Sequence, residues 1–255
     1  MHKTTQRIAH PMIDLAAPRW SNPVMSSLFA PVEDSRRAEL ERAQAKALKL
    51  FDAIERDGLI RAGVSERQVE DEIGALAERE FGVEKHWHRR IVRAGPNSVT
   101  IAGDNPPVRT IAENDIVYVD LGPVFEAWEA DIGKSYVLGA DPEKCRLVTY
   151  LPRLFEQVHS YYHQNPAMTG VELYAYAQNA AHDAGWRFGG QIAGHIVSEF
   201  AHALIPGDKA LNRISPLNPK PMTDPDGKGQ NRHWILEIHL VAEDASFGGF
   251  YERLL

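Results

Sequence analysis

The stretch Asp115–Leu138, DIVYVDLGPVFEAWEADIGKSYVL, constrains this chain more than any other. Ile116-Val117-Tyr118-Val119 is rich in β-branched and aromatic residues, which predicts a strand. Gly122-Pro123 is a turn signal. Tyr136-Val137-Leu138 runs up to Gly139 as the returning strand of a hairpin. Asp120 and Asp131 lie inside this apolar hairpin, eleven positions apart. An ionised carboxylate beside Val119 and Leu121 is costly to bury unless it is paired or bound to a metal. Taken singly, Asp120 reads as a strand end opening the turn, and Asp131 as a solvated loop residue. Whether the pair means more depends on the rest of the chain.

At 255 residues the chain can form one large domain or two small ones. Its 44% hydrophobic and 25% charged residues suit a globular protein with a sizeable core. A formal charge of −7 argues against a general binder of nucleic acid or anionic membrane. The single cysteine, Cys145, excludes an intrachain disulfide and fits a reducing compartment. No long apolar run is present, and the N-terminus lacks the apolar core of a signal peptide. The expected location is the cytoplasm.

Residues 1–33 carry four prolines without a regular pattern and are expected to form an extended arm. Trp20, Leu28 and Phe29 are available there to pack on the same domain or to reach a second subunit in a homodimer. A helix capped by Asp34 or Ser35 follows, with Leu40, Ala43, Ala47, Leu50, Phe51 and Ile54 at helical spacing. Ser65-Glu-Arg-Gln68 is a capping-box pattern that opens a second helix, ended by Gly82. Glu84 to Arg93 alternates enough for a strand, and a proline-containing loop leads to the hairpin. The second half repeats the order. Asp141-Pro142 starts a helix that Pro152 kinks or splits, and Thr169-Gly-Val-Glu172 is another capping box. A glycine-rich stretch surrounds His195, and a polar loop covers roughly 206–231. Two strands, Trp234–Val241 and Phe247–Leu255, end the chain. Each half therefore reads helix, helix, strand, hairpin. This predicts an α+β architecture with a pseudo-twofold, curved antiparallel sheet and helices on its outer face.

Four further residues stand out. His195 lies in Gly194-His-Ile-Val-Ser-Glu-Phe-Ala-His202, seven positions before His202. A lone histidine there is more often a hydrogen-bonded core residue than a ligand. Glu237 sits mid-strand between Leu236 and Ile238, although Ile235, Glu237 and His239 would share one face open to solvent by alternation. Glu252 follows Phe250-Tyr251 with the same ambiguity.

Taken in order and spacing, Asp120, Asp131, Gly194-His195, His202, Glu237 and Glu252 resemble the five metal ligands and the one catalytic histidine of the pita-bread metallopeptidases. That family includes methionine aminopeptidases, prolidase, aminopeptidase P and the non-peptidase creatinase. The resemblance covers about residues 34–255 and implies the pita-bread fold, with a catalytic domain lacking the extra N-terminal domain of prolidase-like members. It also implies that Asp131 and Glu252 bridge two divalent ions, that Asp120 chelates one, and that His195 and Glu237 hold the other. Four carboxylates and an imidazole form a hard, oxygen-rich donor set, tolerant of Mn, Co, Zn or Fe. One pair of such charges at about 4 Å repels by about 4 kcal/mol at an effective dielectric of 20, so cations are needed to offset them. By the same resemblance Glu237 or Glu252 relays a proton, and His202 donates to the substrate carbonyl or its oxyanion.

The chain departs from the family pattern at two positions. Many peptidase members carry a histidine near the scissile bond where Ala102 stands here, and His86, Trp87 and His88 are the residues expected to substitute as substrate contacts. Prolidase-like members often carry an arginine two residues before the last glutamate, where Phe250 stands. The leading expectation is a dinuclear hydrolase that removes an N-terminal residue or splits a dipeptide, aminopeptidase or Xaa-Pro dipeptidase-like. The alternative is a creatinase-like C–N hydrolase or a lyase acting on a small metabolite. A catalytically silent binding protein ranks last, since all five ligands are kept.

Overall fold

The computed structural model describes the backbone of residues 23–255 and the side chains of 33–255. Helix α1 spans Pro23–Arg56 and buries the expected stripe, Leu40, Ala43, Ala47, Leu50, Phe51 and Ile54. It begins eleven residues ahead of Asp34, so the last part of the expected arm is helical rather than extended. A proline at the first helical position costs nothing there, because that N–H has no intrahelical partner. Residues 1–22, and the side chains of Trp20, Leu28 and Phe29, lie outside the described residues.

Helix α2, Glu66–Phe81, starts where Ser65 Oγ accepts from the Gln68 amide at 3.1 Å and stops at the left-handed Gly82. The expected strand over Glu84–Arg93 is two short ones, β1 (Lys85–His86) and β2 (Ile91–Ala94), with Trp87 to Arg90 bending between them. The hairpin region is likewise more divided than the sequence suggests. Strands β3 (Ile116–Leu121), β4 (Pro123–Phe125), β5 (Trp128–Glu129) and β6 (Ile132–Val137) follow one another. Gly122-Pro123 is not the reversal, since Pro123 opens β4, a position where strands accept proline. The chain turns instead at Glu126, which has φ of 59°.

Helix α3, Pro142–Gln164, is capped by Asp141 and continues through Pro152 as one element. Helix α4, Gly170–Asp183, has both hydrogen bonds of the Thr169/Glu172 capping box. Strands β7 (Arg187–Phe188), β8 (Ile196–Val197), β9 (His233–Val241) and β10 (Gly248–Leu254) complete the chain. Among the described residues, no helix is long and apolar enough to cross a membrane.

The main sheet runs β2-β3-β6-β10-β9-β7, with β8 paired to β9. A second small sheet has the order β1-β4-β5. The main sheet is symmetric about the β6/β10 seam, with one half of the chain on each side. Alternation along its strands separates two faces. Val117, Val119 and Leu121 join one core with α1 and α2, and Leu236, Ile238 and Leu240 join another with α3 and α4. The intervening residues, Tyr118, Asp120, Glu237 and His239, point to the opposite face, where the cavity lies.

Candidate active site

One row of paired residues crosses four strands. Asp120 on β3 pairs with Gly133 on β6, Gly133 pairs with Glu252 on β10, and Glu252 pairs with Glu237 on β9. Residues paired directly across strands project to the same face, so three carboxylates point into the cavity around a glycine. Gly133 makes that spacing possible. A Cβ at Gly133 would lie 2.4 Å from Phe250 Cδ1 and 3.1 Å from Glu252 Cβ. Asp131, two residues before Gly133, adds a fourth carboxylate.

His195 arrives from the other half of the site. Gly194, at φ of 140°, lets the chain pass so close to β9 that a Cβ would meet Ile235 O at 1.9 Å. The Ile235 amide then donates to His195 O at 2.8 Å, and the imidazole hangs over the carboxylates. His195 Nδ1 donates to Ile196 O at 2.7 Å, which leaves Nε2 as the nitrogen that faces the carboxylates. Nε2 lies 2.9 Å from Asp131 Oδ2, 3.6 Å from Glu237 Oε1 and 4.0 Å from Glu252 Oε1.

The five residues expected to hold metal thus converge, and none is on the outer surface. Asp120, Asp131 and Glu252 are at most 6% exposed. Burial lifts Asp120 to about 7 and Glu237 to about 7, against the pull of His88 on the first and His195 on the second. Burial, with the carboxylates Asp131, Asp120 and Glu237 alongside, raises Glu252 well above its usual range. Asp131 goes the other way. Its burial is outweighed by hydrogen bonds from His195 and His88, which hold it at about 2.

The expected substrate contacts divide. His88 is in the site, with Nε2 3.4 Å from Asp120 Oδ1 and 3.3 Å from Asp131 Oδ1. Trp87 packs edge-on to His88, His195 and His202, with ring centroids 4.4, 5.0 and 4.8 Å away. His86 is not in the site. It belongs to β1, and successive side chains of an extended segment point to opposite sides. With Trp87 turned inward, His86 faces a separate hollow beside Gly74, Glu78 and Arg90, where burial lowers it to about 4. Ala102 does line the cavity, and Arg89 ties its loop to the His88 segment through Ala102 O and Asp104 O.

His202 sits in a short 3-10 turn, its ring stacked at 5.4 Å on that of His195. A residue that sequence reasoning overlooked holds it. Glu129, 1% exposed, accepts from His202 Nδ1 at 2.7 Å and from the His202 amide at 2.9 Å. The available signal was Glu129 in Trp-Glu-Ala-Asp131, a carboxylate two positions from one already singled out. The cavity measures about 670 Å³. Ile91, Tyr118, Ile192 and Phe250 form its apolar wall, and Lys209 and Arg213 add positive charge.

The residues present fit a divalent ion. Two groups can hold one, His88 with Asp120 and Asp131, and Asp131 with His195 and Glu252. Asp120 Oδ1 and Glu252 Oε2 are buried without a hydrogen-bond partner among the described residues. Buried polar atoms are rarely left so, and a cation would satisfy both.

A donor cluster of this kind on a pseudo-twofold sheet defines a metal-site protein of the pita-bread fold. Residues 38–216 match the model of metallopeptidase family M24, and the chain belongs to that family. It is 29% identical over 127 residues to the Xaa-Pro dipeptidase of Lactobacillus delbrueckii subsp. lactis, an alignment covering 50% of this chain and 34% of that one. The chain therefore spans about a third of the length of that curated relative. The X-Pro aminopeptidase of Thermotoga maritima MSB8 superimposes with a TM-score of 0.66 at 21% identity, over 86% of this chain and 57% of that one. The methionine aminopeptidase of Thermotoga maritima gives 0.61 at 17% identity, over 86% and 92%.

The pH dependence of metal uptake follows from the proton inventory. Asp120 and Glu237 keep a proton up to about 7, and His88 and His195 keep one up to about 9, where burial is outweighed by the adjacent carboxylates. Ligands must lose these protons before an ion binds. Affinity is expected to rise as pH goes from about 7 to about 9, with protons released. Isothermal titration in buffers of different ionisation enthalpy counts those protons. An affinity flat across this range would contradict the placement of these residues around the ion.

Proposed function

We propose that the chain is the catalytic unit of a dinuclear metal-dependent hydrolase that removes an N-terminal residue or splits a dipeptide. The observation that carries this reading is the convergence of Asp120, Asp131, His195, Glu237 and Glu252 on one wall of the cavity. The similarity to Xaa-Pro dipeptidase supports the substrate class.

When bound, the divalent ions supply Lewis-acid activation of water and of the scissile carbonyl. In this reading Asp120, Asp131, His195, Glu237 and Glu252 would hold them. Glu237, on the same wall of the cavity, would accept and return the proton of the attacking water. His202 keeps Nδ1–H on Glu129, so its Nε2 is the atom left to face the substrate's carbonyl oxygen. The apolar wall excludes water from the reacting bond, and Lys209 or Arg213 suits a substrate carboxylate. Ala102, standing where many peptidase members carry a histidine, is the feature that supports the alternative of a small C–N compound, and Phe250, in place of an arginine of prolidase-like members, argues against strict Xaa-Pro specificity.

The test is a chelated preparation reloaded with Mn(II), Co(II), Zn(II) or Fe(II), its metal counted, and assayed on dipeptide and C–N metabolite panels. Metal-restored cleavage of a dipeptide is expected. Two bound ions with no turnover of any peptide would overturn the peptidase reading and leave the C–N hydrolase.

A further inference from the structure

We infer that His88 is a protein ligand of this centre, coordinating through Nε2 the ion that Asp120 and Asp131 hold. The inference rests on the metal-hydrolase reading and changes its donor set to four carboxylates and two imidazoles.

Three observations carry it. The first is direction. His88 Nδ1 donates to Arg89 O at 2.6 Å, which commits that nitrogen and leaves Nε2, facing Asp120 and Asp131, as the one that can bind an ion once its proton is lost. His195 is built the same way, with Nδ1 on the carbonyl of the next residue. A metal-bound imidazole commonly has its other nitrogen so engaged. The second is distance. At 3.3 and 3.4 Å, Nε2 is almost equally far from the two carboxylate oxygens, and farther than a strong charge-assisted hydrogen bond of about 2.7–2.9 Å. Donors about 2.0–2.1 Å from a tetrahedral ion lie about 3.3 Å apart, the spacing seen here. The third is an unmet partner. Asp120 Oδ1, one of the two oxygens facing His88, is buried with no hydrogen bond, so the imidazole does not satisfy it directly.

The surroundings are arranged for this approach. A Cβ at Gly122 would lie 2.3 Å from His88 Cδ2 and 2.6 Å from Nε2, so the glycine admits the ring. Asp131 then stands between two imidazoles, Oδ1 toward His88 and Oδ2 toward His195. Each ion of a dinuclear pair would receive one nitrogen donor. The substrate role expected for His88 fits less well, because its free nitrogen faces the carboxylates.

The test uses the full chain loaded with Co(II). A coordinated histidine whose Nδ1–H is held by a carbonyl gives an exchangeable, hyperfine-shifted proton resonance. Two such signals are expected, one from His88 and one from His195. His88→Ala should remove one of them and weaken one of the two Co(II) sites beyond the about 10–100-fold typical of losing an outer partner of a ligand. His86→Ala, altered outside the cavity, should keep both signals and both affinities. One signal only in the wild-type protein, or unchanged affinity in folded His88→Ala, overturns the assignment and returns His88 to substrate contact. If His88→Ala does not fold, the wild-type signal count decides alone. A wild-type chain that takes up no Co(II) fails the metal-hydrolase reading and the assignment with it.

Discussion

Asp131→Ala is expected to lose its metal and its hydrolytic activity together, by more than the about 10²–10³-fold of a lost oxyanion donor. Asp131 is 2% exposed, and its two oxygens divide between His88 at 3.3 Å and His195 at 2.9 Å. No other carboxylate in the site touches both imidazoles. It is also the one held at about 2, hence ionised, while Asp120, Glu237 and Glu252 are raised. Removing it takes away the shared donor and the charge that gathers both histidines. The chain outside the site should fold as before, since neither core depends on Asp131. Metal per chain by mass spectrometry, beside hydrolysis of the best dipeptide, measures both losses. A variant that keeps the wild-type metal content but loses turnover would show that Asp131 is not a ligand.

The site was legible where one residue violates its local pattern. Asp120, Glu237 and Glu252 are acids in strands that otherwise read as apolar, and an acid in such a strand needs a partner. Their mutual register was not legible. It depends on β6 pairing β10 at Gly133 and Glu252, residues far apart in the chain, and no local propensity encodes a seam between two halves. Helix starts were legible through side-chain chemistry at Ser65, Asp141 and Thr169, each of which caps as its residue type predicts. The start of α1 was not, because a helix can run on through a stretch whose prolines read as extended.

The histidines show the same boundary from another side. In an unbroken strand His86 and His88 would share a face, so alternation alone does not distinguish them. The bend at Trp87 to Arg90 separates them, sending one outward and one inward. That bend is tertiary in origin. Arg90 leaves the strand to donate to Glu70 O at 3.0 Å, packed so closely over Gly74 that a Cβ there would meet it at 2.7 Å. Trp87 fits against Gly122 through a backbone hydrogen bond of 2.9 Å. Neither partner is near in sequence, and periodicity cannot report them.

His202→Ala is expected to keep its metal and lose turnover by about 10²–10³-fold, or about 2.7–4 kcal/mol, if Nε2 stabilises charge on the carbonyl oxygen. His202 belongs to neither cluster that can hold an ion, yet its ring stacks on that of His195 and lines the same cavity. Its position comes from Glu129, which takes the Nδ1–H at 2.7 Å and the backbone amides of His202 and Ser198 at 2.9 and 3.3 Å. One buried carboxylate therefore fixes the ring, its tautomer and the loop that carries it. Glu129→Gln preserves the size of the side chain but replaces one acceptor with a donor, so the imidazole loses its orienting charge. Its turnover should fall between wild type and His202→Ala, with metal content unchanged. The KM-against-kcat split separates this role from substrate binding. A group that acts only as charge develops should lower kcat and leave KM nearly fixed. If His202→Ala raises KM with kcat intact, His202 binds the ground state, and the donor to the developing oxyanion is another group in the cavity.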